Sequence, residues 1–280
     1  MKIQMAAVAL VAATGFAHAD VLGFEDFDGG AINLSGTANV FDYGAGGGTA
    51  GDVFGRVGGV NQGGPGMPFD MADDSVAGVS GSPFPGDSLG LAGQNTSNFF
   101  GMNDMDGNID GAGGSLNNAV WSFNIGGGTI DDITIDIAAL GDFEASSGDG
   151  FLIEAQVDGG GYAAIFQGIC DENLFHDYRA FDDGTFFSDD DPLVLSIDGV
   201  ATGTILDKSD AASGDFDSFV STLFAGVSGN NVDIRISWGG TPSGSEPMGM
   251  DNITINGVIP APGAFALLGL GGLAAVRRRR

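Results

Sequence analysis

Residues 129–140 read TIDDITIDIAAL, and this stretch decides the fold class. From Ile133 to Ile137 every second residue is apolar, and Thr134 and Asp136 stand between them. A two-residue period is typical of a β-strand that buries one face and exposes the other. The stretch therefore predicts a half-buried strand.

Further along the chain, VDIRISW at residues 232–238 repeats this alternation, and Asp158-Gly159 stands between two more apolar stretches. An Asp-Gly pair supplies the positive φ angles that a tight hairpin needs. The other predicted strands cover residues 21–27, 39–43, 52–57, 98–102, 119–125, 151–157, 162–167, 192–197, 216–224 and 251–259.

Short strands separated by Gly-, Asp- and Ser-rich turns, with no alternation of strands and helices, predict an all-β fold. We expect an antiparallel β-sandwich of the jelly-roll kind with long Gly/Asp-rich loops. Residues 58–96, which include GGPGMPFDMADD, are expected to form a long irregular excursion on the surface.

Charge is distributed very unevenly along the chain. All 37 acidic residues lie between Asp20 and Asp251. Over the same part of the chain the basic residues are Arg56, Arg179, Lys208 and Arg235. Such a domain repels nucleic acid and anionic lipid, so both are excluded as partners. Two interpretations of the charge stay open: divalent cation binding, and solubility in a salty medium that screens self-repulsion.

The N-terminal end, residues 1–19, reads MKIQMAAVALVAATGFAHA. A positive residue, Lys2, precedes an apolar stretch, and Ala17-His18-Ala19 supplies the small residues that signal peptidase accepts. We therefore predict a signal peptide that is cleaved before Asp20.

The C-terminal end, residues 258–280, reads VIPAPGAFALLGLGGLAAVRRRR and has no charge before its four arginines. The apolar part after Pro262 is about 14 residues, or ~21 Å as a helix, against a hydrocarbon core of ~30 Å. Terminal arginines stay on the cytoplasmic side, so the preceding chain is expected to lie outside. We predict a short transmembrane sorting helix.

This end resembles the PEP-CTERM sorting tail. The resemblance rests on Pro260-Ala261-Pro262, on the apolar Leu267-Leu268-Gly269-Leu270, and on the basic residues Arg277, Arg278, Arg279 and Arg280. Ala261 stands where the family has Glu. The resemblance implies export by a bacterium that makes extracellular polysaccharide, a tether in the inner membrane, and cleavage and transfer by an exosortase to the cell envelope or extracellular matrix. The expected organisation is a signal peptide (1–19), an ectodomain (20–257) and a sorting segment (258–280).

Residues 103–111, NDMDGNIDG, are the best candidate metal ligands. Asp106, Asn108 and Asp110 are followed by Gly111, which matches the first half of a calcium loop. The twelfth position is Asn117, where a bidentate Glu is usual. Hard oxygen ligands favour Ca²⁺, with Asp104 as a further ligand. The alternative is an Asp/Asn/Gly turn without metal.

The ectodomain also resembles secreted bacterial jelly-roll modules related to carbohydrate-binding and galactose-binding-like domains. The resemblance rests on Phe24-Glu25-Asp26-Phe27, on Phe99-Phe100-Gly101 with Asp104-Met105-Asp106-Gly107, and on Met250-Asp251-Asn252-Ile253. It implies a structural calcium between the first and last strands, with Asp251 as a ligand.

Catalytic signals are weak. Cys170 is the only cysteine, so no intramolecular disulfide forms, and burial is a better interpretation than a nucleophilic role. His176, the only histidine of the ectodomain, is interpreted as a polar surface residue. A second acidic cluster, at Asp182-Asp183 and Asp189-Asp190-Asp191, is interpreted as a solvated loop, with a bridging cation as the alternative.

These observations favour a non-catalytic protein with a calcium-stabilised β-sandwich that binds extracellular polysaccharide or envelope proteins. The first alternative is a carbohydrate-binding lectin. Trp121 and Trp238 weaken that alternative, because both are expected in the core. The second alternative is a secreted hydrolase of the glycosidase type, for which no carboxylate pair stands out.

Overall fold

The computed structural model describes residues 20–28, 34–35, 53–58, 70–72, 88–90, 98–103, 117–139, 141–179, 186–207, 216–239, 246 and 248–259. All regular structure in these residues is β-strand. The strands are β1 (Asp20–Glu25), β2 (Leu34–Ser35), β3 (Val53–Gly58), β4 (Asp70–Ala72), β5 (Ser88–Gly90), β6 (Asn98–Asn103), β7 (Asn117–Asn124), β8 (Thr129–Ala139), β9 (Gly150–Val157), β10 (Ala163–Cys170), β11 (His176–Arg179), β12 (Phe186–Asp190), β13 (Leu193–Ile197), β14 (Val200–Ile205), β15 (Asp217–Ser221), β16 (Asn231–Gly239) and β17 (Met248–Val258).

These strands form two large sheets and two hairpins, all antiparallel. The first sheet has six strands in the order β15-β8-β17-β6-β3, and β1 pairs with β17 beside β6. The second has seven, in the order β14-β13-β10-β9-β16-β7-β2. The hairpins are β4–β5 and β11–β12. The predicted all-β antiparallel class is therefore confirmed.

Side-chain alternation explains why the two large sheets share one hydrophobic core. Ile133, Ile135 and Ile137 of β8 are buried, as the two-residue period predicts. Trp121 of the seven-stranded sheet contacts Phe100 of the six-stranded sheet edge-on, with ring centroids 4.9 Å apart. In an edge-to-face contact the positive edge of one ring meets the negative face of the other, which stabilises the pair beyond the burial of its apolar surface.

The hairpin β9–β10 turns where the sequence predicts it. Asp158 and Gly159 have φ angles of 48° and 74°, as a tight turn between twisted strands requires. The carboxylate of Asp158 accepts the backbone N–H groups of Asn230 (3.0 Å) and Asn231 (2.9 Å). The turn is therefore fixed to the start of β16.

The structure corrects several boundaries. β15 ends at Ser221, before the predicted 224, because the Thr222 carbonyl accepts the Ala225 N–H and starts a turn. The excursion at 58–96 contains the hairpin β4–β5, and Asp189 and Asp190 lie in β12 instead of a loop. The predicted strand at 39–43 lies outside the described residues, as do the signal peptide and the sorting segment from Pro260 onward.

Strand register gives the molecule two ends. Asp20 pairs with Gly257, so the first and last strands meet where β17 finishes. We call this the tail end; it comprises residues 20–21, 125–128, 158–161, 198–200, 222–230 and 257–259. We call the opposite end the loop end; it borders the connections 36–52, 104–116, 140–149, 171–192, 206–216 and 240–247.

Candidate functional site

At the loop end, Asp191 lies within the electrostatic influence of three other carboxylates. Burial raises the pKa of Asp191, and the neighbouring charges of Asp142, Glu172 and Asp171 raise it further. The Asp191 backbone N–H donates a hydrogen bond to Asp142 Oδ1 over 3.2 Å. This bond connects the start of the 141–149 segment to the short link between β12 and β13. The sequence marked Asp191 as part of an acidic run but gave no sign of the partners that join it from two other connections.

Cys170 lies beneath this cluster. Its side chain is 6% exposed, and its Sγ donates to the carbonyl oxygen of Phe143 over 2.9 Å. Burial raises the pKa of the thiol to about 11, and the Asp191 charge contributes to the shift. The group is therefore a neutral thiol at physiological pH and is poorly suited to nucleophilic attack. The predicted burial of Cys170 is confirmed.

His176 has a partner that the sequence did not reveal. Its Nε2 lies 2.8 Å from Asp207 Oδ2, and both side chains are half-buried. The two residues are 31 positions apart, and no short motif marks the pair. His176 is a polar, half-buried residue of the loop end, and the pairing with Asp207 is what the sequence did not predict.

The first and last strands lie side by side, where the resemblance to jelly-roll modules implies a calcium ion. Glu25 is 5% exposed and its Oε1 accepts the Phe27 N–H over 3.0 Å. Asp251 is 3% exposed and its Oδ1 accepts the Asn252 N–H over 2.7 Å. Within the described ranges, no group of three or more His, Cys, Asp or Glu side chains is placed to hold a metal ion.

The other predicted calcium ligands lie outside the described residues: Asp104, Asp106, Asn108 and Asp110. The strands that flank them in sequence are β6, which ends at Asn103, and β7, which begins at Asn117. Asp251 pairs with Asp136 further down the sheet. Glu246, which precedes β17, is a further buried carboxylate at 4% exposure and was not predicted as a metal ligand.

Five polar side chains lie close together on the outer surface of the seven-stranded sheet. Arg235 donates to Glu154 Oε2 from Nε (2.9 Å) and Nη2 (2.5 Å), and its guanidinium lies 3.9 Å from the centre of the Tyr162 ring. One row away, Gln156 Nε2 donates to Asp233 Oδ2 over 2.8 Å. We call these five residues the polar face.

Register explains this arrangement. Arg235 lies opposite Glu154, and Asp233 lies opposite Gln156, so cross-strand neighbours on the outward side form each pair. Burial raises the pKa of the Tyr162 phenol, as does the charge of Asp233, whereas Arg235 lowers it. The phenol is therefore protonated and able to donate a hydrogen bond at neutral pH. The alternation of β16 predicted an outward Arg235, but sequence alone could not pair β16 with β9.

Both tryptophans belong to the core, as predicted. Trp121 is fully buried and Trp238 is 2% exposed. In the part of the chain that the structure describes, neither indole Nε1 has a hydrogen-bond partner. Stacking of a sugar on either ring is incompatible with this burial.

Comparison of the chain with protein families, with curated proteins and with solved structures finds no match. Among the described residues there is no helix with the length and apolar character needed to cross a membrane.

Proposed function

We propose that the chain is an exported, non-catalytic protein of the bacterial envelope or extracellular matrix. Its ectodomain is a calcium-stabilised, jelly-roll-like β-sandwich that interacts with extracellular polysaccharide or with other surface proteins. Signal peptidase and an exosortase-like enzyme process its two ends, and the sorting segment tethers it to the inner membrane before transfer.

One observation carries this proposal. β1 begins at Asp20, the residue after the predicted cleavage site, and β17 ends at Val258, two residues before Pro260. These two strands pair with each other, with Asp20 opposite Gly257. The described strands therefore begin and end inside the interval between the two predicted sorting signals, and the first and last of them pair at the tail end.

The polar face supports the interaction with polysaccharide. A guanidinium, two carboxylates, an amide and a phenol lie on one surface of a sheet, and their contacts with each other restrict their rotamers. Sugar hydroxyl groups are donors and acceptors that match this set, and Tyr162 offers the ring against which a pyranose can pack. Fixed side chains reduce the entropy that binding must overcome.

Export is tested by adding protease to intact spheroplasts. The ectodomain should be digested while a cytoplasmic marker protein survives, because the terminal arginines keep only the last residues inside. Protection of the ectodomain together with the marker would refute the proposed topology.

Polysaccharide binding is tested by affinity electrophoresis of the protein through gels that contain extracellular polysaccharide from the producing bacterium. Retardation should be lost in Tyr162→Ala and kept in Tyr162→Phe, which retains the ring. Phe175→Ala removes an exposed aromatic ring at the loop end and serves as the matched control. Equal retardation of all three variants would remove the polar face from the proposal.

The lectin alternative differs in selectivity. A dedicated lectin gives a discrete, saturable preference on a glycan array, whereas a matrix protein binds the polymer of its own envelope broadly. The hydrolase alternative requires turnover, which a panel of glycoside and ester substrates measures directly.

A further inference from the structure

Exposed apolar side chains surround the point where the chain leaves the tail end. Of the large hydrophobic residues that the structure shows exposed, five lie at this end, with exposed fractions between 38% and 67%. We call them the apolar collar: Val21, Val200, Leu223, Val227 and Ile259.

Strand register places the collar residues close together. Thr129, the first residue of β8, pairs with Val258 of β17 on one side and forms an isolated β-bridge with Ser228 on the other. Val258 and Ser228 are the sequence neighbours of the collar residues Ile259 and Val227. Val21 lies opposite Asn256, on the far side of β17. The segment that carries Val227 is thus followed across the sheet by β8, β17 and β1. Neighbouring strands are about 4.8 Å apart, so three such steps separate Val227 from Val21 by roughly 15 Å.

The second sheet contributes to the same surface. The turn before Val200 is held against the loop that carries Leu223, since Asp198 accepts hydrogen bonds from the Ser221 hydroxyl and from the Thr222 N–H. Both sheets therefore contribute residues to the collar, and hydrogen bonds hold the turn before Val200 against the loop that carries Leu223.

The tail end is acidic, like the rest of the ectodomain. The carboxylates of Asp158 and Asp198 are held by hydrogen bonds to turn residues. Asp20 and Asp131 are exposed. These carboxylates repel anionic head groups, so attraction to a bilayer has to come from the apolar collar and is expected at a zwitterionic surface.

The short distance along the chain from Ile259 to the predicted sorting segment indicates what the collar contacts. Only Pro260-Ala261-Pro262 separates Ile259 from the uncharged segment that ends in four arginines. Three residues span at most about 10 Å. If that segment enters a bilayer, as the proposed function holds, the tail end lies at the membrane surface and the loop end points away from it.

We propose that the apolar collar rests on the lipid bilayer while the chain is tethered, so that the ectodomain sits end-on with its tail end in the head-group layer. This inference rests on the proposed membrane insertion of the sorting segment. Insertion of exposed Val, Leu and Ile side chains removes their apolar surface from water and orients the domain.

The full chain, reconstituted in zwitterionic phosphatidylcholine vesicles with and without brominated acyl chains, tests this inference. Val227→Trp places a fluorophore in the collar, at a position that is 38% exposed. Phe175→Trp places one at the loop end, at a position that is 70% exposed. Trp121 and Trp238 give the same buried background in both variants. We expect bromine to remove most of the added emission of Val227→Trp, with a blue shift, and to leave that of Phe175→Trp unchanged.

Flotation of the vesicles separates the two hypotheses. Protein that floats but whose Val227→Trp emission is not quenched, or is quenched no more than that of Phe175→Trp, overturns the collar and leaves the tether intact. Protein that does not float overturns the tether and the collar together.

Discussion

The tail end and the loop end use the same residue types for different purposes. At the tail end, the turns at 125–128 and 158–161 are short, and the carboxylate of Asp158 accepts backbone N–H groups of the neighbouring segment. At the loop end, connections are long, and Asp191 lies among Asp142, Asp171 and Glu172, whose charges raise its pKa. Acidic Gly-rich sequence therefore fixes turns at one end and accumulates charge at the other.

Because of this difference, acidic residues at the two ends affect the free energy of unfolding in opposite directions. A carboxylate that accepts backbone N–H groups stabilises the fold, whereas one that faces like charges opposes it unless a cation intervenes. The domain has no disulfide to offset the repulsion, because its one cysteine is free and buried. Stability of the loop end is thus expected to respond to cations and pH, and stability of the tail end to depend on hydrogen bonds.

The largest expected effect comes from the core that both ends share. Trp121→Ala removes a fully buried indole that contacts Phe27 and Phe100, and it should lower the free energy of unfolding. Substitutions of this kind cost about 3–5 kcal/mol. Denaturant unfolding measures the change. Trp121→Phe should cost far less, because the aromatic contacts persist and an unpaired N–H is removed; an equal loss in both variants would contradict this packing.

Calcium should have the next largest effect, and only through the loop end. Binding to the folded state alone stabilises by about 2.7 kcal/mol at a hundredfold excess over Kd, which raises Tm by several degrees. Melting in CaCl₂ is compared with melting in NaCl and MgCl₂ at matched ionic strength. Asp106→Ala combined with Asp110→Ala should abolish the excess, whereas Asp158→Ala should keep it. If the protein has the same Tm in EDTA and in Ca²⁺ at matched ionic strength, residues 103–111 (NDMDGNIDG) are a turn without a calcium site.

A smaller loss is expected at the tail end. Asp158→Ala removes the acceptor for the N–H groups of Asn230 and Asn231 and should cost on the order of 1 kcal/mol. Asp158→Asn keeps an acceptor oxygen and tolerates the positive φ angle, so it should cost less. Urea unfolding of the two variants distinguishes them, and equal losses would indicate that the backbone bonds contribute little.

The smallest effect has the opposite sign and lies at the loop end. Asp191→Asn removes a charge whose pKa is raised by burial and by neighbouring carboxylates, so Tm at pH 7 should rise slightly. The folded chain holds this proton at pH values where the unfolded chain has released it. Wild-type stability therefore recovers as pH falls toward the ordinary pKa, and the advantage of Asp191→Asn shrinks. A destabilising effect of the variant at pH 7 would show that the repulsion is already neutralised.

Local pattern was sufficient where a segment's own residues determine its structure. The alternation at residues 232–238 predicted β16, and Asp158-Gly159 predicted the hairpin turn. β14 was missed because it is an edge strand whose first five residues are exposed, so no apolar alternation marks it. Apolar alternation arises when one face of a strand is buried, and β14 buries neither face over its first five residues.

Contacts between distant segments could not be predicted in this way. His176 and Asp207 meet because the segments after β10 and β14 both end at the loop end. The polar face requires β16 beside β9, and it aligns Arg235 with Glu154 across 81 positions of sequence. Register and strand order decide these pairs, and neither is readable from one segment at a time.

The central proposal is that the two ends of the chain are sorting signals on either side of the all-β domain. The intact mass of the protein isolated from the envelope of the producing bacterium tests it most directly. We predict a chain that begins at Asp20 and lacks Arg277 to Arg280. A chain that begins at Met1 and retains Arg280 would contradict the account, because neither end would then have been processed as a sorting signal.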